Sequence, residues 1–239
     1  DGLRHAIPLF DVRAASQQEL DALLERHGCL APLCRREAEA LETMAVRLEC
    51  RRDDADYVYP AARIRAYAGR TLRKKAGLMA QLLAAHRVGA EPFAAHLREP
   101  AGEILDAWMR DKRKSAGEAD EIPCREAIAA PREFGLDGFL YRADGAPAGF
   151  LLAEELQSGV WVVRFAKGLA RFNGIAQYMF HHFASRADRR VDWLNFEHDL
   201  GLPNFRRTKL SYGPELLLPK WRALPRPVST RRAGASALA

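Results

Sequence analysis

The chain has 239 residues, of which 48% are hydrophobic and 28% are charged, and its net charge is +6. This is the composition of globular domains, and it suffices for one large or two small hydrophobic cores. The apolar runs are only a few residues long, so we expect no transmembrane segment, and no secretory signal is visible. The four cysteines lack CxxC spacing, which favours reduced thiols over a zinc site or a disulfide framework.

The positive charge is concentrated in two segments. Residues 61–90 contain seven basic and no acidic residues, residues 220–239 contain five and none, and the remainder therefore has a net charge of −6. Basic segments of this kind attract phosphate groups on RNA, lipid headgroups or a cofactor. The second segment is also rich in Pro, Ser, Gly and Ala, so we expect it to be a disordered, solvated tail.

The first half of the chain is predicted to be mainly helical. Ser16 and Glu19 form a capping box, which starts a helix that Gly28 ends. The long helix in the basic segment has an apolar stripe, with Arg73 and Lys74 on another face. The elements predicted here are strands over 3–12 and 56–59 and helices over 17–27, 34–48, 71–86, 102–114 and 120–134.

The hydrophobic period changes at residue 136. The predicted elements from there are strands over 136–142, 146–156 and 160–166, a helix over 173–186, a strand over 191–197, a helix over 204–212 and a strand over 215–218. This β-β-β-α-β-α-β order predicts an α+β fold in which a mixed sheet is flanked by helices. It resembles the second half of the GNAT acyltransferase fold.

The segment 171–176 lies between a predicted strand and a predicted helix. Its sequence fits [QR]-x-x-G-x-[GA], in which Arg171 and small residues such as Gly174 let a pyrophosphate approach the helix N-terminus. In the alternative interpretation, Asn173 is a helix N-cap and Gly174 is required for packing. The sequence leaves both interpretations open.

A second polar cluster follows the strand predicted over 191–197. Asn195 and Glu197 share one strand face, and Asp199 lies just beyond the strand end. A carboxylate there could accept a proton from an amine or hydroxyl nucleophile. Alternatively, Glu197 and Asp199 pair with Arg206, Arg207 or Lys209 and brace the loop.

Arg206 and Lys209 lie one helical turn apart. Such a pair can grip a phosphate, with bidentate geometry from the arginine and a point charge from the lysine. A solvated helix face is the alternative.

Several motifs recur in a fixed order: Asp56-Tyr57-Val58-Tyr59, Gly69, Arg73-Lys74-Lys75, Asn195-x-Glu197-x-Asp199-Leu200-Gly201 and Arg206-x-x-Lys209-x-Ser211-Tyr212-x-Pro214. Over about residues 55–219, the chain thereby resembles the family named for the C-terminal domain of phosphatidylglycerol lysyltransferase. The resemblance implies tandem GNAT-like units like those of Fem-type aminoacyltransferases. We expect an incomplete first unit over 1–88, a second unit over 89–219 and a tail over 220–239.

The resemblance also implies an activity, namely transfer of an aminoacyl group from aminoacyl-tRNA to a lipid hydroxyl or amine. It predicts tRNA and an anionic phospholipid surface as partners, no tightly bound cofactor, and a cytoplasmic location, with the inner membrane face as a further option. Catalysis is assigned to Glu197, Asp199 and Asn195. Binding of substrate or phosphate is assigned to Arg206, Lys209, Tyr212, Arg171, Gly174, Lys167, Arg73, Lys74 and Lys75.

The sequence leaves two other functions open. Family members usually have Lys-Arg-Asn after the first basic residue of the long helix, whereas Lys75 is followed here by Ala76-Gly77. This departure weakens an edge that contacts the phosphate or the donor, and it favours a module without catalytic activity. The chain could instead be an acetyl-CoA-dependent N-acetyltransferase that uses the 171–176 loop, which predicts thermal stabilisation by coenzyme A. It could also be a non-catalytic module for RNA or anionic lipid, whose salt-sensitive binding would not change in Glu197→Gln.

Overall fold

The computed structural model describes residues 4–117 and 119–226, which form two compact units. The helices are α1 Gln17–His27, α2 Arg35–Leu41, α3 Ala61–Ala66, α4 Gly69–Ala85, α5 Arg98–Asp111, α6 Glu121–Ala129, α7 Ile175–Ser185 and α8 Pro203–Leu210. The strands are β1 His5–Ala6, β2 Cys29–Leu33, β3 Val46–Cys50, β4 Asp56–Pro60, β5 Val88–Pro92, β6 Leu136–Ala143, β7 Ala146–Gln157, β8 Val160–Gly168, β9 Trp193–Asn195, β10 Leu216–Leu218 and β11 Trp221–Pro225.

The small unit comprises the described parts of Asp1–Asp54 and Pro219–Ala239. Its four strands lie in the order β1-β2-β11-β3, and α1 packs against β2 and β11. The predicted capping box is present, because the Ser16 side chain accepts from the Glu19 amide and the Glu19 carboxylate accepts from the Ser16 amide. Gly28 ends the helix in the left-handed conformation, as predicted.

The structure corrects several predictions for the small unit. The strand predicted over 3–12 is only two residues long in the described part, and the helix predicted over 34–48 ends at Leu41. The chain instead forms β3, in which apolar Val46 and Leu48 alternate with charged residues. The tail prediction is wrong for Trp221–Pro225, since β11 pairs with β2 and β3 on its two sides. Residues 227–239 lie outside the described residues.

The large unit, Ala55–Leu218, differs from the predicted domain boundary at 88/89. The basic helix α4 belongs to this unit, because it packs against α7, and β4 lies within the large sheet between β9 and β10. The boundaries therefore fall at 54/55 and 218/219. The tandem GNAT-like arrangement stays a prediction.

The large sheet has seven strands in the order β10-β4-β9-β8-β7-β6-β5. Only β8 and β9 among these neighbours are parallel, so the predicted mixed sheet is confirmed, as is the β-β-β-α-β-α-β order from residue 136. Gly149 and Gly168 face Met179 of α7, while neighbouring Lys167 points to Trp108 of α5. Because adjacent strand residues face opposite sides, α5 and α7 cover opposite faces of the sheet. None of the helices in the described ranges is long and apolar enough to cross a bilayer.

The two parallel strands separate after a short pairing. β8 and β9 pair from Val160 with Trp193 to Val162 with Asn195, and β8 then continues alone on this side to Gly168. Arg164 is an extra residue in β8, since Val163 pairs with Ala153 of β7 and Phe165 pairs with Leu152. Such a β-bulge redirects a side chain and is frequent beside active sites.

Candidate functional site

The loop after β9 begins at a buried amide. The Asn195 Nδ2 donates to Oδ2 of Asp56 at 2.9 Å, and its Oδ1 accepts from the Glu197 backbone amide at 2.7 Å. Asn195 thus ties the end of β9 to β4 and shapes the following turn. These bonds give Asn195 a positioning role, distinct from the catalytic role predicted for it.

Asp199 lies at the centre of this loop and is completely buried. Its Oδ2 accepts from the Tyr57 hydroxyl at 2.6 Å and from Arg206 Nε at 2.8 Å, and its Oδ1 accepts from Arg206 Nη2 and from the Gly201 amide. The Arg206 guanidinium, followed by the Tyr57 hydroxyl and the Gly201 amide, holds the pKa of Asp199 well below its ordinary value. A carboxylate in this state is a poor proton acceptor, so the ion-pair interpretation describes Asp199 and Arg206 best.

Lys209 completes the support of the loop. Its ammonium donates to the carbonyl oxygens of Phe196, Glu197 and His198, and the backbone carbonyl of Lys209 accepts from the Tyr59 hydroxyl at 2.8 Å. An ammonium has three N–H donors, and these three bonds account for all of them. Lys209 therefore holds the loop rather than the predicted phosphate.

Glu197 differs from Asp199, because its side chain is 33% exposed. Its Oε1 accepts from Nη1 of Arg164, the bulged residue of β8, whose Nε and Nη2 donate to Oε2 of Glu154 on β7 at 2.9 and 2.7 Å. No described residue donates a hydrogen bond to Oε2 of Glu197. The Glu154–Arg164–Glu197 cluster thus presents one carboxylate oxygen to solvent where β8 and β9 separate.

The backbone around Glu197 is strained. Glu197 and Leu200 both adopt the left-handed conformation, with φ values of +57° and +56°. Residues other than glycine adopt this conformation at a cost of roughly 1–3 kcal/mol, and such residues cluster at functional sites. The bonds made by Asn195, Asp199 and Lys209 hold the loop in this conformation.

An aromatic cluster lies behind the loop. Phe196 contacts Tyr59 and Phe180, with ring centroids 4.6 and 4.5 Å apart, and Tyr212 packs on the same group. The Lys75 ammonium on α4 lies 4.1 Å from the centre of the Tyr212 ring. Burial, together with the nearby Lys74, lowers the pKa of Lys75, and no described carboxylate forms an ion pair with it. Tyr212 and Lys75 are thus connected to the loop that carries Glu197.

In the loop after β8, the small residue and a backbone amide serve packing and an internal hydrogen bond. A side chain on Gly174 would collide with the backbone carbonyl of Leu78 on α4, and Gly174 has a φ of +97°. The Ala170 amide already donates to the Asp111 carboxylate at 2.9 Å. A carboxylate in this position competes with a phosphate for the loop. The packing interpretation of Gly174 therefore describes this loop better than the pyrophosphate interpretation.

Two predicted phosphate ligands bond to groups outside the loop that carries Glu197. Lys167 is buried, donates to both oxygens of Asp120 at 2.6 and 2.8 Å, and lies over the Trp108 ring. Arg171 donates to the Pro147 carbonyl and lines a shallow cavity of about 330 Å³ between α5 and the start of β7. The remaining two predicted cations, Arg73 and Lys74, are exposed on α4.

Comparisons with known proteins agree with this architecture. Residues 13–224 match the family model described as phosphatidylglycerol lysyltransferase, C-terminal. The chain belongs to this family. No curated protein sequence matches the chain.

Three solved structures share the family fold. A conserved protein of unknown function from Bacteroides thetaiotaomicron has a TM-score of 0.77 and 20% identity, with 88% of this chain and 75% of that chain covered. The structure of L-PGS from Bacillus licheniformis has a TM-score of 0.62 and 12% identity, with 89% and 73% covered. A C-terminal DUF2156 domain from Agrobacterium fabrum also has a TM-score of 0.62 and 12% identity, with 88% and 73% covered.

Sequence reasoning missed two residues of the site in this lysyltransferase-family domain. Arg164 and Glu154 lie in strands that are otherwise mostly apolar, and they join Glu197 across β8. An arginine within the apolar segment 160–166 was the available signal. Its partners could not be found from sequence, because the bulge that redirects Arg164 arises only when β7 and β8 pair.

Proposed function

We propose that this chain is a GNAT-like acyltransferase that transfers an aminoacyl group from aminoacyl-tRNA to a hydroxyl or amine of a lipid acceptor. Membership in the phosphatidylglycerol lysyltransferase C-terminal family supports the transferase class. The observation that carries the proposal is the Glu197 carboxylate, which has one oxygen fixed by Arg164 and the other accessible beside the separating strands.

In the proposed reaction, the acceptor oxygen or nitrogen attacks the carbonyl carbon of the aminoacyl ester. Oε2 of Glu197 takes the proton that the nucleophile loses, and the bond between that carbon and the ribose oxygen of the tRNA breaks. The proton then passes to the ribose oxygen. Atoms and charge balance without a further reactant, and most of the rate enhancement comes from aligning donor and acceptor.

The surrounding side chains have separate roles in this proposal. Arg164 is a positioning residue that fixes the orientation of Glu197, while Asp199 and Lys209 hold the loop that carries it. Arg73 and Lys74 are exposed on a helix in a segment without acidic residues, and they attract the phosphates of the tRNA. Lys75, half-buried on the Tyr212 ring, is the cation of α4 linked to the catalytic loop.

A transfer assay tests the proposal. The chain is incubated with a mixed tRNA pool aminoacylated with labelled amino acids and with vesicles that contain phosphatidylglycerol, and the label in the lipid extract is counted. We expect transfer by the wild type and a fall of about 100-fold or more in Glu197→Gln, the size of a general-base contribution. Glu126→Gln, which changes an exposed carboxylate on α6, is the control and should transfer normally.

Two outcomes would contradict the proposal. Normal transfer by a folded Glu197→Gln variant would show that Glu197 is not the general base. Salt-sensitive tRNA binding without transfer to any lipid, unchanged in Glu197→Gln, would identify a non-catalytic RNA-binding module instead.

A further inference from the structure

An exposed apolar surface lies next to the candidate site. Leu200, Leu202 and Phe205, here named the apolar tip, are 62%, 43% and 41% exposed. They occupy the turn before α8 and its first turn, and Leu202 and Phe205 are three residues apart, on neighbouring positions of the helix start. Exposed large apolar side chains that are close together mark interaction surfaces.

Hydrogen bonds to Asp199 hold the turn that carries the apolar tip. The Gly201 amide donates to the Asp199 side chain, and the Leu202 amide donates to the Asp199 backbone carbonyl. Asp199 is itself buried and paired with Arg206. The left-handed conformation of Leu200 turns the chain outward at the cost of local strain. A buried ion pair and a strained residue thus hold three apolar side chains in solvent.

The segment 200–210 contains three basic residues and no acidic residue. Asp199 balances the charge of Arg206, and the Lys209 ammonium is bonded to loop carbonyls, which leaves Arg207 as the cation of this segment without an ion pair to a described carboxylate. The first turn of α8 lacks an acidic residue, although a carboxylate there would be favoured by the helix dipole. Arg207 is exposed on the same helix, and Arg206 is partly exposed beside it. Apolar side chains within a cationic segment are complementary to the surface of an anionic bilayer, where the headgroups are negative and the acyl chains lie beneath.

We infer that the apolar tip docks this chain on an anionic lipid bilayer. Leu200, Leu202 and Phe205 insert among the acyl chains, and Arg207 contacts lipid phosphates. Because Asp199 anchors both the apolar tip and the loop of Glu197, docking places the candidate base at the bilayer surface. This inference rests on the proposed function for its biological meaning, but vesicle binding can be measured without transfer.

Vesicle co-sedimentation tests the inference directly. The wild type should bind vesicles of phosphatidylglycerol and phosphatidylcholine more tightly than vesicles of phosphatidylcholine alone, and added salt should weaken this binding. The triple variant Leu200→Ser, Leu202→Ser, Phe205→Ser should bind the anionic vesicles at least tenfold more weakly. The matched control is Leu83→Ser, Ile122→Ser, Phe134→Ser, whose three side chains are 46–59% exposed elsewhere in the large unit, and it should bind as the wild type does.

Several results would overturn the inference. These are absence of wild-type binding, equal binding to both kinds of vesicle, and unchanged binding of the triple variant. A wild type that is dimeric and ignores vesicles, but becomes monomeric in the triple variant, would show that a second copy covers the apolar tip. Sedimentation velocity of both variants detects that outcome and also shows whether each is folded and compact.

A short-chain phosphatidylglycerol, kept dissolved as monomers, separates this inference from the proposed function. The triple variant should transfer to this soluble acceptor as the wild type does, but should lose at least tenfold in transfer to vesicles. Vesicle binding without any transfer by the wild type would leave docking in place and refute the proposed reaction. Equal transfer to vesicles by the triple variant and the wild type would refute docking alone.

Discussion

The loops that follow the two parallel strands use their charged and small residues differently. After β8, Gly174 allows α4 to approach α7, and the Ala170 amide is bonded to Asp111. After β9, Asp199 and Lys209 are used in internal bonds, and only Glu197 keeps an accessible oxygen. A charged or small residue at a strand end therefore indicates a site only where the fold has not already bonded or packed it.

The largest expected effect is on the loop after β8. Gly174→Ala places a methyl group against the Leu78 carbonyl in a conformation that L-residues rarely adopt. We expect it to lower the free energy of unfolding by about 3 kcal/mol or more. Thermal denaturation should then show a melting temperature roughly 6–12 °C lower.

Gly77→Ala is the control for this prediction. Gly77 lies within α4, and nothing lies near the position of an added methyl group. The substitution should stabilise the helix by roughly 0.5–1 kcal/mol. A Gly174→Ala variant as stable as the wild type would contradict the packing interpretation and would favour the pyrophosphate interpretation of this loop.

Substitutions of the two carboxylates in the loop after β9 should have different effects on the free energy of unfolding. Asp199→Asn breaks a buried ion pair and should lower the free energy of unfolding by about 3 kcal/mol. Glu197→Gln changes a partly exposed group and should remain within about 0.5 kcal/mol of the wild type. Urea denaturation of both variants measures the difference, and similar losses in the two would contradict the division of roles.

The pH dependence of this difference follows from the pKa of Asp199. Folding lowers that pKa below its ordinary value of 3.8, so the stabilisation is fully present above 3.8 and is lost as the pH falls through the lower pKa of the folded state. The stability gap between the wild type and Asp199→Asn should be constant near neutral pH and should shrink in acid. A gap that narrows above pH 5 would contradict this assignment.

The smallest effect is expected from coenzyme A. Because Asp111 already accepts from the loop after β8 and Gly174 serves packing, millimolar coenzyme A should not change the melting temperature measurably. A clear increase, abolished in Arg171→Ala, would support the acetyl-CoA-dependent alternative. It would also show that the loop rearranges to release the Ala170 amide.

The sequence predicted the second half of the fold well because its elements have strong local signals. The change of period at residue 136 and the apolar strands that follow it predicted the strand order, which the structure confirms. The short strands β2, β3, β5 and β11 were missed. β3 and β11 acquire their stability by pairing with segments about 170 residues apart in the chain, and no local pattern reports such pairing.

For the site, the sequence by itself located the segment of Asn195, Glu197, Asp199, Arg206 and Lys209, because polar residues at a strand end are visible as a pattern. Only the tertiary structure decided which of them are bonded internally, since Tyr57 reaches Asp199 from another strand and a bulge brings Arg164 to Glu197. Hydrogen-bond capacity is a local property of each side chain, whereas its partners are set by packing between distant segments. The sequence therefore determined which groups could do chemistry, and the fold decided that Glu197 remains accessible.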